Sequence, residues 1–210
     1  NATSGLGISK LSAGHCIYDC LINDVPIRSL VVSTQIEDLS VVPATIQLAG
    51  AEVELVSEVS RETKLKKALQ EVKDEYDFII IDCPPSLGLL TLNAMTAADK
   101  ILIPIQCEYY ALEGLSQLMN TVSLVKKHLN PQLEIEGVVL TMFDARTNLS
   151  IQVVDEVKAY FKDKVFHSII PRNVRLSEAP SYGLPINLYD PKSKGAEQYL
   201  ELAKEVIARE

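Results

Sequence analysis

The 210-residue sequence contains no tryptophan, only four cysteines and only nine glycines. It also lacks any apolar run near the ~20 residues that a membrane-spanning helix needs. Four cysteines are too few for a disulfide framework and favour a reducing cytoplasm. Because hydrophobic residues make up 47% and charged residues 23% of the chain, a disordered or low-complexity protein is excluded. The composition leaves a globular protein that is long enough to bury a sizeable core.

The charge balance excludes a protein that is basic over its whole surface. The chain has 20 Lys and Arg against 28 Asp and Glu, and its formal net charge is −8. Residues 140–195 differ, because they hold eight basic and six acidic residues. Arg146 and Arg175 stand in predicted loops of this window, where arginines can contact phosphates without reading base sequence. The counts alone favour ordinary surface charge.

Short apolar runs alternate with helical patterns along the chain. The runs predict strands at residues 76–82, 100–105 and 135–141, with weaker ones at 30–33, 39–42 and 165–170. Apolar residues at helical spacing predict helices within residues 61–75, 115–125, 151–161 and 194–209. This order predicts a single α/β domain over residues 1–210, with a doubly wound, mostly parallel sheet and helices on both faces. Ligands of such folds bind beyond the carboxyl ends of the strands, here at residues 82–86, 141–147 and 171–180.

Asp82 ends the predicted strand at residues 76–82 and precedes the string CPPS at residues 83–86. A carboxylate in this position can hold a water of the Mg²⁺ that bridges nucleotide phosphates, as in a Walker B motif. The two prolines stiffen the turn that follows, because each one fixes its own φ. A structural alternative stays open at this point, in which Asp82 caps the next helix.

The cysteines offer a weaker signal for a metal site. Cys16 and Cys20 lie four residues apart beside His15, and this spacing could ligate a metal ion. No second pair of ligands completes a site, so buried structural thiols are the favoured interpretation. Cys83 and Cys107 could ligate a metal cluster shared between subunits, but nothing else in the sequence supports this. No pairing of a catalytic nucleophile with a general base is evident either.

Six strings stand out along the chain: NATSGLG at residues 1–7, PAT at 43–45, YDFIIIDCPP at 76–85, QCEYYALEG at 106–114, TMFDART at 141–147 and IPRNVRLSEAP at 170–180. They span essentially all 210 residues and are highly specific in combination. With these strings the sequence resembles the ParA/Soj family of chromosome- and plasmid-partitioning ATPases, a branch of the deviant Walker-A family. The resemblance implies a P-loop NTPase-like fold.

The sequence departs from this family at its start. The family begins with a strand and a Gly-rich phosphate loop that ends in Lys and Thr, and a second strand follows. None of the nine glycines here stands in such a loop. Because residue 1 is Asn and lies where the family's switch ends, we expect the N-terminus to be incomplete. The missing strands belong in the middle of the sheet, so we expect this chain alone to fold poorly and to be an inactive ATPase.

For the intact protein, the resemblance implies a DNA-segregation ATPase that uses ATP and Mg²⁺. ATP would join two subunits into a homodimer that binds double-stranded DNA without sequence preference. A ParB-like partner would stimulate hydrolysis and release the dimer. The protein would then be cytoplasmic and nucleoid-associated, with no membrane partner.

The resemblance also implies roles for individual residues. Asp82 would be the catalytic Walker B carboxylate, which binds Mg²⁺ through water. Arg146 and Arg175 match the family's DNA-contacting arginines. The positions around the adenine are matched by Pro171 and Asn173, with Thr141, Met142 and Arg172 as neighbours.

Two other interpretations stay open. A MinD-like ATPase cycles on membranes through a basic amphipathic C-terminal helix, whereas residues 195–210 hold four glutamates against Lys204 and Arg209. A truncated, non-enzymatic paralogue would act as a binding or dimer-interfering module, and the missing phosphate loop favours it. The presence of Asp82, Pro171 and Asn173 favours the ATPase.

Overall fold

The computed structural model describes residues 1–9, 14–109 and 111–209, without the side chains of residues 111–113. Tyr110, in the matching string at residues 106–114, lies outside the described residues. The chain forms two compact units. The first unit comprises Asn1–Asp99 and Val122–Leu133, and the second comprises Lys100–Thr121 and Glu134–Glu210. The single domain expected over residues 1–210 stays a prediction. None of the helices within the described ranges is long and apolar enough to cross a membrane.

Short helices make up most of the first unit. The strands β1 (Val32–Ser33) and β2 (Ser40–Val41) pair as an antiparallel hairpin. Each is shorter than the strand predicted there, at residues 30–33 and 39–42. Cys20, Ile27 and Val72 meet in the core of this unit. The helices are α1 (Ala2–Gly5), α2 (Ile17–Ile22), α3 (Leu48–Glu54), α4 (Lys64–Leu69) and α5 (Leu89–Ala97), with 3₁₀ turns at Ile27–Leu30, Leu55–Ser57, Arg61–Thr63 and Lys73–Glu75.

A parallel three-stranded sheet forms the centre of the second unit, in the order β3 (Lys100–Gln106), β4 (Glu134–Phe143), β5 (Val165–Pro171). These strands confirm the predictions at residues 100–105, 135–141 and 165–170. Its helices are α6 (Ala111–His128), α7 (Asn148–Phe161), α8 (Val174–Glu178), α9 (Ile186–Tyr189) and α10 (Lys194–Ile207), with 3₁₀ turns at Lys162–Lys164 and Ala179–Tyr182. The part of α6 from Val122 onward belongs to the first unit.

Both faces of this sheet are covered. Five consecutive residues of β4, at 136–140, are buried, as a central strand between two helical layers requires. Val138 and Leu140 belong to the core cluster that includes Val157 of α7. Val139 points to the opposite face, where it clusters with Leu202 of α10. The predicted α/β class, with a parallel sheet and helices on both faces, is therefore confirmed.

The prediction of a strand at residues 76–82 is wrong. No helix or strand is assigned between Tyr76 and Gly88, and Ile80 is 90% exposed. Phe78 and Ile79 are exposed as well. An apolar run becomes a strand only when a neighbouring strand pairs with its backbone, and the described residues provide no such partner here. The poor folding expected for the chain alone stays a prediction.

A carboxylate from α10 fills an irregularity in β5. Val138 pairs with Val165 and Leu140 with Ile169, so β5 carries two extra residues over this stretch. Glu205 accepts hydrogen bonds from the backbone N–H groups of the bulge, those of His167 and Ser168, both at 2.7 Å. Partial burial acts to raise the pKa of Glu205, but hydrogen bonds from Ser168 and the two backbone groups outweigh it and lower the pKa. The bulge thus depends on an ionised carboxylate.

We predict that Glu205→Gln lowers the free energy of unfolding by about 1–3 kcal/mol at neutral pH, because an amide leaves one of the bulge N–H groups without an acceptor. Urea denaturation measures the change. Glu201→Gln, which removes an exposed carboxylate paired with Lys204 on the same helix, is the control and should change little.

The difference between the wild type and Glu205→Gln should also depend on pH. A lowered pKa in the folded state stabilises the protein above the ordinary glutamate value of 4.5, and this contribution is lost as the pH falls through the folded-state pKa. Denaturation midpoints of the two proteins should therefore converge in acid. A constant difference across that range would contradict the role of the ionised form.

Candidate functional site

Asp82 lies in the first unit, in the exposed segment without regular structure. Its side chain is 57% exposed. The backbone N–H of Ala2 donates to Asp82 Oδ2 at 3.2 Å. Cys83, Pro84 and Pro85 after it are exposed as well. The carboxylate is thus accessible to a ligand from solvent.

Asp82 does not cap the helix that follows it, which was the structural alternative. Helix α5 begins at Leu89, after Gly88 as its N-cap. Its first N–H groups are bound by Glu52 of α3: Leu89 donates to Oε2 at 2.8 Å and Leu90 to Oε1 at 3.2 Å. A Cβ atom on residue 88 would overlap this carboxylate, so a larger residue there would displace Glu52 from the helix end. Two N–H groups at the start of α5 are therefore satisfied without Asp82.

The cysteines of the described ranges do not form a metal centre. Cys16, Cys20 and Cys107 are buried, and Cys83 is exposed. Burial raises the pKa of Cys20 and of Cys107 to about 11, which keeps both thiols protonated at neutral pH. No group of three or more His, Cys, Asp or Glu that could hold a metal ion occurs within these ranges. The burial of Cys16 and Cys20 agrees with the interpretation of both as structural thiols.

The carboxyl ends of β3, β4 and β5 meet at one edge of the second unit, which we call the strand-end surface: residues 106–108, 141–147 and 171–175. Backbone hydrogen bonds hold its segments together. Cys107 N–H donates to the carbonyl oxygen of Thr141 at 2.9 Å, and Arg172 N–H donates to that of Phe143 at 2.9 Å. The Thr141 hydroxyl reaches the carbonyl oxygen of Ile105 at 3.3 Å. Four of the five adenine-associated residues predicted from the sequence, at 141, 142, 171 and 172, therefore lie at the ends of paired strands.

A tight turn follows β4. Met142 has a φ of 56°, in the left-handed region that non-glycine residues seldom adopt. Thr147 closes the turn, since its N–H and its hydroxyl both donate to the carbonyl oxygen of Asp144 at 3.1 Å. The same hydroxyl oxygen accepts from Ser150 N–H at 3.3 Å and so caps α7. This arrangement holds Arg146 at the outer tip of the turn.

The Arg146 side chain is 85% exposed and pairs with Asp144 through two parallel hydrogen bonds. Nε donates to Oδ1 at 2.9 Å and Nη2 donates to Oδ2 at 2.7 Å. The guanidinium holds the pKa of Asp144 well below its usual range, and the backbone N–H of Arg146 adds to the effect. Because this pairing uses the Nε edge, the other edge of the guanidinium can reach a phosphate.

The segment after β5 carries three of the predicted residues. Arg172 forms an ion pair with Glu108, which lies beyond the end of β3. Asn173 caps α8, with its Oδ1 accepting from the backbone N–H of Arg175 at 2.8 Å. The Arg175 guanidinium pairs with Glu178.

The structure groups the predicted residues unevenly. Asp82 lies in the first unit, and the other seven lie in the second. Sequence reasoning missed the acidic partners of the arginines. Asp144 and Glu178 could have been found, since each lies within three residues of its arginine in a turn or helix. Glu108 could not, because 64 residues separate it from Arg172.

The residues present fit a nucleotide in part. Mg²⁺ in nucleotide sites takes one or two carboxylates, with phosphate oxygens and waters as its other ligands, so a single exposed carboxylate such as Asp82 suits it. The side-chain amide of Asn173 carries two N–H donors that suit a purine ring nitrogen. The 210 residues contain no Gly-rich loop with Lys and Ser or Thr for the phosphates.

Comparison with known proteins extends these observations. Residues 1–135 match the family described as an AAA domain. The chain is 67% identical over 208 residues to the sporulation initiation inhibitor protein Soj of Bacillus subtilis, which covers 99% of this chain and 82% of that protein. It is 60% identical over 210 residues to the chromosome partitioning protein ParA of Myxococcus xanthus, covering 100% of this chain and 74% of that one. A crystal structure of cobyrinic acid a,c-diamide synthase from Mycobacterium smegmatis with bound ADP and magnesium matches with a TM-score of 0.82 and 36% identity, covering 98% of this chain and 76% of that one.

We predict that Arg146→Ala raises the pKa of Asp144 toward its ordinary value of 3.8, because the side-chain hydrogen bonds from Arg146 are the main cause of the lowered value. A carboxyl-carbon NMR titration of Asp144 measures the change. Arg146→Lys should raise it less, since lysine keeps the charge but loses the two-point geometry. An unchanged Asp144 pKa in Arg146→Ala would show that the pair does not form in solution.

Proposed function

Because the chain belongs to the ParA/Soj family of chromosome-partitioning proteins, we propose that it is an ATPase that segregates DNA. The identity with Soj over nearly the whole chain is the observation that carries this proposal. In the ATP-bound state the protein forms a homodimer on double-stranded DNA, without sequence preference. A ParB-like centromere-binding partner stimulates hydrolysis, and the protein works in the cytoplasm on the nucleoid.

The proposed nucleotide chemistry assigns a task to each residue. Asp82 would hold Mg²⁺ through one of the waters of the ion, by accepting a hydrogen bond from that water. The chemistry supplied there would be neutralisation of charge on the phosphate oxygens. Pro171 and Asn173 contact the adenine, and the Asn173 amide donates to it while its oxygen keeps α8 capped. Thr141, Met142 and Arg172 border the same base.

The proposed DNA contacts are electrostatic. Arg146 and Arg175 are exposed on the second unit, near the ends of β4 and β5. A guanidinium binds phosphate oxygens through two parallel hydrogen bonds, which position a protein on DNA without reading its sequence. Such contacts also suit a protein whose overall charge is −8, because the cations are local.

A membrane role is disfavoured by the C-terminal helix. Glu197, Glu201 and Glu205 outnumber Lys194 and Lys204 on α10. Anionic lipid attracts basic helices at about 1 kcal/mol per Lys or Arg, and this helix offers no such excess. We therefore propose DNA rather than a membrane as the surface on which the protein cycles.

We predict that Asp82→Asn in the intact protein lowers the Mg²⁺-dependent rate of ATP hydrolysis by about a hundredfold or more, because the amide weakens the hold on the metal-bound water. Phosphate release in the presence of DNA and the ParB-like partner measures the rate. Asp77→Asn changes an exposed acid of the same segment and should leave the rate unchanged.

Hydrolysis by Asp82→Asn at the wild-type rate would remove this residue from the catalytic role. Failure of the wild type to bind ATP at all would instead favour the non-enzymatic binding module.

We predict that Arg146→Ala and Arg175→Ala in the intact protein each weaken DNA binding to a similar extent on all sequences. The slope of log K against log salt should shrink by about one unit per lost phosphate contact. Fluorescence anisotropy with two unrelated duplexes, in ATP and Mg²⁺, measures both quantities. Lys204→Ala, which removes an exposed cation of the same unit, is the control. Wild-type affinity in both arginine variants would contradict the proposed contacts.

A further inference from the structure

The two arginines proposed to contact DNA have different electrostatic surroundings. Arg146 has one carboxylate partner, Asp144, which binds only the Nε edge of its guanidinium. Arg175 has two carboxylate partners: Nη1 donates to Glu178 Oε2 at 2.9 Å, and Nε lies 3.5 Å from Asp190 Oδ2. The cluster around Arg175 therefore carries one more negative than positive charge.

The carboxylates around Arg175 are held in place by their own neighbours. The Tyr189 hydroxyl donates to Glu178 Oε2 at 3.1 Å. The Tyr189 ring stacks on Tyr182, with centroids 5.0 Å apart. The backbone of Asp190 is anchored at the end of α9, since its N–H donates to the carbonyl oxygen of Ile186 at 2.9 Å. These contacts favour a preformed carboxylate clamp over two mobile side chains.

The base of the Arg175 side chain is fixed as well. Its backbone N–H donates to Asn173 Oδ1 at 2.8 Å, in the cap of α8. The side chain is 55% exposed, against 85% for Arg146. Arg175 therefore lies within reach of solvent while its guanidinium is engaged on two sides.

We propose that Glu178 and Asp190 form a clamp that masks Arg175 and thereby sets the DNA affinity of the protein. A DNA phosphate can reach the guanidinium fully only by replacing these carboxylates, which also repel it. Exposed ion pairs of this kind are weak enough to exchange. The inference rests on the proposed DNA binding and adds to it the residues that limit that binding.

The test compares the wild type with a double variant that carries both Glu178→Gln and Asp190→Asn. Both substitutions keep an oxygen that can accept a hydrogen bond, so Tyr189 keeps its partner. Non-specific DNA binding of the intact protein is measured by anisotropy at low salt, with ATP and Mg²⁺. We expect affinity to rise about threefold to tenfold, and the gain to fade with added salt as the charges are screened.

A matched control separates the clamp from a change in overall charge. Glu197→Gln with Glu201→Gln removes two exposed negative charges from α10 of the same unit. We expect this control to bind DNA within about twofold of the wild type, because its charges do not contact Arg175. An equal gain in the control would overturn the inference.

The same experiment in an Arg175→Ala background shows whether the gain passes through Arg175. We expect the gain to disappear there. A gain that survives without Arg175, or no gain at all, overturns the clamp. If Arg175→Ala alone also binds like the wild type, the proposed DNA role of Arg175 fails together with the clamp. If no variant binds DNA at low salt, both the proposed function and this inference are wrong.

Discussion

Parallel pairing of β4 with both β3 and β5 is the constraint on which the second unit depends. Because all three strands run in the same direction, their carboxyl ends reach one edge of the sheet. Glu108 and Arg172, 64 residues apart in sequence, can form an ion pair there only for this reason. The same pairing buries residues 136–140 between two helical layers, which supplies the apolar core that holds the edge in place.

Acidic side chains organise this unit as much as the sheet does. Glu205 satisfies two backbone N–H groups of the bulge in β5, where the regular ladder provides no acceptor. Asp144, Glu108 and Glu178 each pair with an arginine near the strand-end surface. A protein with a net charge of −8 can therefore present cations near one edge while most of their charge is balanced locally. How far each arginine is available to an anion depends on how many carboxylates it already binds.

The strands and helices of the second unit could be predicted because their sequence signals match their environment. β4 carries an apolar run at residues 137–140 since it is buried there on both faces, and α7 shows apolar residues at helical spacing since one face meets the sheet. Residues 78–81 make a comparable apolar run, and residues 76–82 form no strand in the structure. Backbone pairing depends on a partner strand, and composition does not report whether that partner is present.

Sequence by itself determined the family and the α/β class, because these are encoded in local strings and periodicities. The residues assigned to a nucleotide and to DNA phosphates stay predictions. Only the tertiary structure decided which acids reach an arginine from far along the chain. Asp190 approaches Arg175 across 15 residues and Glu108 approaches Arg172 across the sheet, and both contacts follow from how strands and turns pack. Pairing between side chains so far apart in the sequence is set by their proximity in the folded chain, which sequence spacing does not specify.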